Sequence, residues 1–380
     1  MLTLSLHQRA ETLRAELRQW LQSNPPPVLP ERVELEEFVN VSRAWQRKLA
    51  AERWIAVHWP ESYGGRGLGL LEEAVVQECL AEAGSPQLVN LFGLTMVGPV
   101  LIQHGTPEQK ERYLPRILTA EEIWCQGFSE PEAGSDLASL KTVAVRNDTG
   151  WSIRGQKIWT SFAQYAEWCF LLARTDASVP KHKGLTYLLV PMTSEGIEVR
   201  PLMQISGDRE FNELFFDDTH TDEKNIVGAP GDGWKIAIST LMYERVILTF
   251  ARHLQSQAVL SEIRDLLRTL PEDSRSRAEF GRLSARHSAL RALALSHLAQ
   301  YEQRAPGPEG SYDKLAWSET FQEICQLALE LQSRPGASAE QRIGAEFRYL
   351  YSRGRTIAAG TSEIQKNIIA ERVLGLSRDR

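Results

Sequence analysis

Apolar residues recur at helical spacing through roughly the first third of the chain. Leu13, Leu17 and Leu21 fall at intervals of four, and a run of prolines follows at 25–27. This spacing predicts amphipathic helices, and the prolines predict where the first helix ends. We therefore predict an N-terminal α-helical domain over residues 1–120.

The pattern changes after residue 120, where short runs rich in β-branched and aromatic residues alternate with turn residues. Trp168–Ala173, Leu185–Val190 and Ile197–Leu202 are such runs, and Asn147–Gly150 has the composition of a turn. Short strands that follow one another without intervening helices are typical of a small antiparallel β domain. We assign it residues 121–228.

Helical periodicity returns in residues 229–380, where long periodic segments are separated by short breaks rich in proline, glycine and serine. The predicted helices cover approximately 234–260, 275–304, 313–333, 339–354 and 361–374. Long helices with short connections predict a four- or five-helix bundle. The expected fold class is thus α+β and multidomain, in the order helical domain, β domain, helical bundle.

Composition narrows the function classes. A length of 380 residues suits two or three packed units, and 42% hydrophobic with 24% charged residues is typical of a globular protein. The net charge of −6, without a long basic run, argues against nucleic acid. The four cysteines lack metal-ligand spacing, so no metal site is predicted. No signal peptide or membrane-length apolar run is visible, so we expect a cytoplasmic protein without a membrane partner.

Three segments stand out as candidates for chemistry. Residues 124–139, WCQGFSEPEAGSDLAS, pass from a short apolar run into a loop of small residues whose backbone can approach a ligand closely. Taken alone, this segment is equally compatible with a surface turn. Trp159 is followed by two hydroxyl residues, and by itself it suggests core packing. In residues 358–369, AAGTSEIQKNII, Ser362 and Gln365 have the spacing of a capping box that opens a helix.

Together and in this order, these segments resemble the FAD-dependent acyl-CoA dehydrogenase family, and the likeness extends over essentially the whole chain. The resemblance implies the same three-domain architecture. It also implies α,β-desaturation of an acyl-CoA thioester: a carboxylate takes the α proton, the β carbon gives a hydride to flavin N5, and an electron-transfer flavoprotein receives the electrons.

The resemblance also implies roles for individual residues. The residues expected to contact FAD are Gln126, Phe128, Ser129, Ser135, Trp159, Thr160, Ser161, Thr361, Ser362 and Glu363. The residues expected to contact the substrate are Ser135, Arg245 and Gly360.

The chain departs from the family pattern at the catalytic base. The residue before the Gly-Thr pair is often a glutamate in the family, but here it is Ala359, which cannot take a proton. A second base position is known on the first long helix of the bundle, beside an arginine, and this chain has Glu244-Arg245 there. We therefore predict Glu244 as the base, although an exposed helical glutamate is the common alternative.

A second departure concerns contacts between subunits. Arg277, Phe280 and Gly281 have the spacing of a family segment that reaches a neighbouring subunit's flavin, but they fall inside a predicted helix. The family's later glycine-rich turn is missing, since residues 331–337 spell LQSRPGA.

Three alternatives stay open at this point. The chain could be a dehydrogenase with Glu244 as base, a flavin-dependent monooxygenase or oxidase on the same fold, or a non-catalytic partner subunit of a heteromeric acyl-CoA dehydrogenase. A homodimer or homotetramer is expected by analogy, and a heteromer with a sister chain is the alternative. Straight, branched and ring-bearing acyl groups all remain compatible with the sequence.

Overall fold

The protein is described by a computed structural model. It describes residues 2–30, 33–304, 307–334 and 337–377, and the side chains of 2–7 and 245–249 lie outside that description. Within this part of the chain no helix combines the length and apolar composition needed to cross a bilayer.

The N-terminal region is helical, as predicted. Its helices are α1 (Leu2–Ser23), α2 (Leu35–Ala51), α3 (Leu70–Glu82), α4 (Gly98–His104) and α5 (Pro107–Leu118). The first helix ends just before the prolines at 25–27, where the missing amide hydrogens prevent its continuation. Leu17 and Leu49 are fully buried between the helices, and they belong to one apolar core. The predicted helical faces are therefore the faces that pack.

The middle region forms an eight-stranded sheet within the described residues. Its strands are β1 (Trp124–Gly127), β2 (Val143–Arg146), β3 (Gly150–Ser161), β4 (Trp168–Arg174), β5 (Leu185–Pro191), β6 (Ile197–Pro201), β7 (Phe211–Asp222) and β8 (Ile226–Val227). Most neighbouring strands are antiparallel, as expected, but β4 runs parallel to both β1 and β2.

The central strands of this sheet are buried on both faces. In β5, Tyr187 and Leu189 join the core shared with the N-terminal helices, whereas Leu188 and Val190 join a second core inside the β domain. Strands covered on both sides consist of continuous apolar residues, as β4 and β5 do. One face of the sheet therefore packs against helices, whereas the other face encloses a core of the β domain itself.

The C-terminal region is a helical bundle made of α6 (Gly233–Thr269), α7 (Ser274–Tyr301), α8 (Gly310–Gln332), α9 (Ala339–Arg355) and α10 (Ser362–Ile368). Helix α6 is longer than predicted because no helix-breaking residue interrupts it before Pro271. The predicted helix 361–374 is α10 followed by a π-helical turn, Ile369–Val373. Arg277, Phe280 and Gly281 lie within the first turns of α7.

Candidate functional site

The loop after β1 is attached to β3 by a buried ion pair. The Lys157 ammonium donates to Glu130 Oε1 at 2.9 Å and to the Phe128 carbonyl at 3.0 Å, and the lysine is fully buried. The Glu130 carboxylate also accepts the backbone N–H groups of Lys141 and Thr142, at 2.6 and 2.8 Å. One charge pair thus connects the loop, β3 and the start of β2.

Both members of this pair have pKa values shifted by burial and by each other. Burial lowers the pKa of Lys157 to about 8, because the Glu130 carboxylate only partly offsets the loss of water. Burial alone would raise the pKa of Glu130, but Lys157 and the bound N–H groups outweigh it and hold that pKa below its usual value. At neutral pH the lysine is therefore cationic and the glutamate anionic.

The end of β3 carries a β-bulge that turns Trp159 outward. Lys157 pairs with Leu214 and Thr160 with Asn212, so β3 has one extra residue between these pairs. Trp159 adopts φ +61°, a left-handed conformation that is a genuine outlier for a bulky residue, and 59% of it is exposed. An exposed indole held in strained backbone is typical of a ligand-binding position rather than of core packing.

Four other predicted FAD contacts, Gln126, Phe128, Ser129 and Ser135, lie in β1 or in the loop that follows it. Gln126 is in β1, and Phe128 is buried with its ring edge-on to Phe170. The Ser129 carbonyl accepts the Ile158 N–H at 2.9 Å, which places that serine beside the bulge. The last of these four residues, Ser135, is exposed in the loop after β1. Thr160 and Ser161, on the far side of the bulge, are both buried.

Two buried polar side-chain atoms belong to residues that are predicted to contact FAD. Gln126 Nε2 and Thr160 Oγ1 are buried, and neither has a hydrogen-bond partner among the described residues. Buried donors and acceptors in native proteins are mostly satisfied, so these two atoms are compatible with a bound polar partner. A flavin ring, which is flat and apolar with a polar edge, offers hydrogen-bond partners to atoms of this kind and a face to an exposed indole.

The C-terminal motif forms a turn that is fixed from behind. Ala359 and Gly360 are both left-handed, with φ +58° and +94°. The Gly360 carbonyl accepts from Lys314 Nζ at 2.6 Å, and Gln365 Nε2 donates to the carbonyls of Ala359 and Gly360 at 2.9 and 3.2 Å. A Cβ on Gly360 would lie 2.6 Å from Gln365 Nε2, which explains the glycine. The two carbonyls therefore point toward the bundle.

The predicted capping box at Ser362 is wrong. Thr361 is the N-cap of α10, and its hydroxyl accepts the Ile364 N–H at 3.3 Å. Gln365 does not close a box, because the Ser362 N–H donates to the Thr356 carbonyl and Gln365 Oε1 has no hydrogen-bond partner among the described residues. The sequence spacing fits either threonine or serine as the cap, and the hydrogen bond from the Ile364 N–H to the Thr361 hydroxyl identifies threonine. Glu363 follows as an exposed residue in the first turn of α10.

The predicted base, Glu244, lies on α6 and is 9% exposed. Its Oε1 is 3.4 Å from Arg252 Nη2, two turns later on the same helix, and the Arg252 guanidinium lies over the Trp317 ring at 5.5 Å. It is therefore not the exposed helical glutamate of the common alternative. The side chain of Arg245 lies outside the described residues.

Apart from Ser135, Glu244 and Arg245, the predicted residues form two groups in different domains. Gln126–Ser129 and Trp159–Ser161 are brought together by the loop, whereas Gly360–Glu363 lie at the end of the bundle. No hydrogen bond between described residues joins the second group to the first. A ligand as long as a dinucleotide is the kind of molecule that could contact both.

Sequence reasoning missed the residues that hold these groups in place. Lys157 and Glu130 were not singled out, because Lys157 follows other polar residues, Arg154 and Gln156, in β3 and only tertiary packing covers it. Lys314 was missed because charged residues are common on predicted helices and nothing local marks one as buried. Gln365 was noticed, but as part of a capping box and not for its hydrogen bonds to the carbonyls of Ala359 and Gly360.

Comparisons with known proteins agree with this architecture over the full length. The acyl-CoA dehydrogenase N-terminal, middle and C-terminal domain families match residues 7–121, 125–219 and 231–374. Acyl-CoA dehydrogenase IpdE1 of Mycobacterium tuberculosis is 41% identical over 382 residues, covering 98% of this chain and 99% of that protein. Acyl-CoA dehydrogenase FadE34 of the same organism is 42% identical over 335 residues, covering 88% of this chain and 46% of that protein.

Solved structures give the same result. The ChsE4-ChsE5 complex from Mycobacterium tuberculosis contains a chain with 30% identity and a TM-score of 0.83, with 98% of each chain covered. The Tcur3481-Tcur3483 steroid ACAD is 28% identical with a TM-score of 0.81, and covers 98% of each chain. The chain therefore belongs to the acyl-CoA dehydrogenase family, whose members are FAD-dependent oxidoreductases that act on the CH–CH bond of acyl-CoA thioesters.

Proposed function

We propose that this chain desaturates an acyl-CoA thioester between its α and β carbons with Glu244 as the base. The observation that carries the proposal is the 9% exposure of Glu244 in a chain that has Ala359 at the family's more frequent base position. A carboxylate that is nearly buried and beside a single described arginine contact can accept a proton without being tied into a dense network. Loss of such a base typically costs a hundred- to ten-thousand-fold in rate.

When bound, FAD supplies the acceptor for the two electrons that leave the β carbon as a hydride. Its ring would be held by Gln126, Phe128, Ser129, Trp159 and Thr160, with Ser161 beside them. Its nucleotide part would be held by Thr361, Ser362 and Glu363. The unpartnered Gln126 and Thr160 atoms support the first assignment. Ser135, Arg245 and Gly360 would contact the substrate.

The chain's own groups then do three things. The turn at Ala359 and Gly360 binds the thioester oxygen through backbone N–H groups, which stabilises the negative charge that develops as the α proton leaves. Glu244 takes that proton. Trp159 covers the ring and keeps water from the reacting carbons.

We further propose an electron-transfer flavoprotein as the electron acceptor and a homo-oligomeric assembly in the cytoplasm. All four cysteines are free and buried, which is compatible with a reducing compartment. The steroid enzymes among the structural neighbours make ring-bearing acyl groups a substrate class to test beside straight and branched ones.

A second candidate is a subunit of a heteromeric dehydrogenase, with a sister chain supplying part of the site. Ala359 favours it, and a structural neighbour is a complex of two different chains. A flavin-dependent monooxygenase or oxidase on the same fold is the remaining alternative.

The test is the visible spectrum of the purified protein during anaerobic addition of octanoyl-CoA, isovaleryl-CoA and a CoA thioester of a steroid side-chain acid. Bleaching of the flavin band by one of them supports the dehydrogenase. An unbleached flavin that reacts rapidly with oxygen once it is reduced would favour the oxidase. Protein that binds no FAD until a sister chain is added would favour the heteromer.

Glu244→Gln then tests the base, because it keeps the shape and removes the charge. We expect bleaching to slow by a hundredfold or more while the FAD content is unchanged. Glu262→Gln is the matched control, since Glu262 is on the same helix and is also paired with an arginine, Arg348. If the flavin of the Glu244→Gln protein is bleached at the wild-type rate, the assignment of Glu244 as the base is wrong.

A further inference from the structure

Two histidines lie buried side by side between the first two helices of the C-terminal bundle. His253 of α6 is 1% exposed and His287 of α7 is 6% exposed, and their ring centroids are 5.6 Å apart. Neither ring nitrogen of His253, nor Nε2 of His287, has a hydrogen-bond partner among the described residues. Buried polar side chains without a partner are uncommon in native proteins, so these three nitrogens need an explanation.

An arginine nitrogen on the same face of α7 is in the same condition. Arg291 comes one turn after His287, so the two side chains are neighbours on the helix surface. Its Nη2 donates to Glu78 of α3, and its guanidinium lies over the Phe250 ring at 5.6 Å. Its Nε is buried and has no partner in the part of the chain that the structure describes. Three side chains of α6 and α7 thus carry buried nitrogens without a hydrogen-bond partner.

The charges that act on the two rings are positive. Burial lowers the pKa of His253 to about 3, and His287, Arg291 and Arg252 act in the same direction. Burial and the charge of Arg291 also lower the pKa of His287. Arg291 therefore lies close enough to influence both imidazoles, and the space between them has a positive electrostatic potential.

A metal ion does not fit this environment. The described residues contain no group of three His, Cys, Asp or Glu side chains placed to hold one. The carboxylate that binds Arg291, that of Glu78, is also bound by Arg14 at 2.7 Å, so its charge is shared between two cations. A metal cation beside the histidines would be repelled by Arg291 and Arg252.

A small anion matches both the donors and the charge. The Nε–H of a guanidinium only donates, and an imidazole donates from one nitrogen when neutral and from both when protonated. An anion would accept these hydrogen bonds and would offset the charges of Arg291 and Arg252. A water molecule would accept hydrogen bonds too, but it would leave those charges uncompensated. Because both imidazoles are more than nine-tenths buried, the anion must be small.

We propose that α6 and α7 bind one halide-sized inorganic anion through His253, His287 and Arg291. The bound anion connects the two helices, and it favours protonation of the imidazoles because an opposite charge stabilises their charged form. Its affinity should therefore increase as the pH falls. The charged side chains around the site are Arg252 on α6, Arg291 on α7 and Glu78 on α3. The proposal concerns packing within the bundle and stands or falls independently of the proposed function.

The test uses bromide as the probe, since it resembles chloride in size and gives an anomalous X-ray signal. The thermal midpoint of the full-length FAD-loaded protein is measured in sodium bromide and in sodium gluconate at equal ionic strength, at pH 6 and at pH 8. Gluconate is too large for a site buried between two helices, so it controls for general salt effects. Crystals soaked in sodium bromide then locate the ion.

The variants are His253→Leu and His287→Leu. In the wild type, bromide at ten times its dissociation constant should favour the folded state about elevenfold and raise the midpoint by about 2 °C, with a larger rise at pH 6 than at pH 8. Both variants should lose this rise. In gluconate they should be at least as stable as the wild type, because an apolar side chain of similar size replaces an unpartnered polar one.

The matched control is His297→Asn. His297 is also on α7 with a side chain that is 12% exposed, but its Nδ1 is 2.7 Å from Asp313 Oδ2 and so has a partner. This variant should lower the midpoint by the same amount in both salts and should keep the full effect of bromide.

An anomalous peak between His253 and His287, absent from His253→Leu crystals, would support the proposal together with the solution data. Equal wild-type midpoints in bromide and gluconate, without a peak, would mean that the nitrogens bind water and would overturn it. A peak without any effect of bromide in solution would show an adventitious ion only, which overturns it as well. Should one leucine variant not fold, the wild type and the other variant still decide.

Discussion

Two loops of this protein are each held by a buried lysine that donates to a backbone carbonyl, but the two supports differ in kind. Lys157 binds the Phe128 carbonyl and has the Glu130 carboxylate beside it, only 27 residues away in the same β domain. Lys314 binds the Gly360 carbonyl across 46 residues, from a different helix, and shares that carbonyl with the Gln365 amide.

The first support is therefore expected to matter for FAD binding, and the second for the orientation of backbone N–H groups. The front loop is supported within one sheet by a charge pair, so its shape depends little on the helical bundle. The turn at Gly360 is supported by two helices, so any change in their packing changes the direction of its N–H groups. We therefore expect damage to the first support to affect FAD retention, and damage to the second to affect catalysis by a protein that still holds FAD.

The largest effect is expected from Lys157→Met. It leaves Glu130 buried without its cation, which typically costs 3–5 kcal/mol in the free energy of unfolding. The measurement is the urea midpoint together with the FAD content after gel filtration, and both should fall. Lys141→Met is the control, because the Lys141–Glu132 pair is on the same loop but 76% exposed at both partners and should contribute less than about 1 kcal/mol.

Restoring neutrality sharpens this prediction. A Lys157→Met/Glu130→Gln double variant should recover part of the lost stability, since no unpaired charge remains. Equal stability of the single and double variants would mean that the charge pair is not what holds the loop.

A second prediction follows from the pKa of Lys157, which burial lowers to about 8 from its ordinary value of 10.5. Between these two pH values the unfolded chain binds the proton and the folded protein does not, so stability should rise with pH in this window. The rise is about 3 kcal/mol at most, and below pH 8 this contribution is absent. Urea midpoints at pH 7.5, 9 and 10.5 measure this rise. The double variant, which lacks the lysine, should not show it.

The smallest effect is expected at the helix that follows the second turn. Thr361→Ala removes the N-cap of α10 and should cost about 1 kcal/mol in the free energy of unfolding of the FAD-free protein. Ser362→Ala should cost only a few tenths, because Ser362 is inside the first turn. Thermal midpoints of the two variants provide the comparison, and a larger loss for Ser362→Ala would restore the capping box that the sequence suggested.

Much of the candidate site could be predicted because its signals are local. The loop of small residues after Trp124 and the turn at Gly360 contain residue types, such as glycine, that particular backbone conformations require. The outward position of Trp159 could not be predicted in this way, since a bulge depends on how β3 pairs with β7, and the partner strand begins fifty residues later. The cap of α10 was misplaced because two neighbouring hydroxyl residues give the same local pattern.

The sequence by itself determined the order of helical and β regions, the ends of most helices and the family to which the chain belongs. These features depend on periodicity, helix breakers and short motifs, all of which act over a few residues. Only the tertiary structure decided that Lys157, Glu130 and Lys314 are buried and that Glu244 is nearly so. Burial of a charged residue depends on which distant elements cover it, and no local pattern distinguishes a covered lysine from one in solvent.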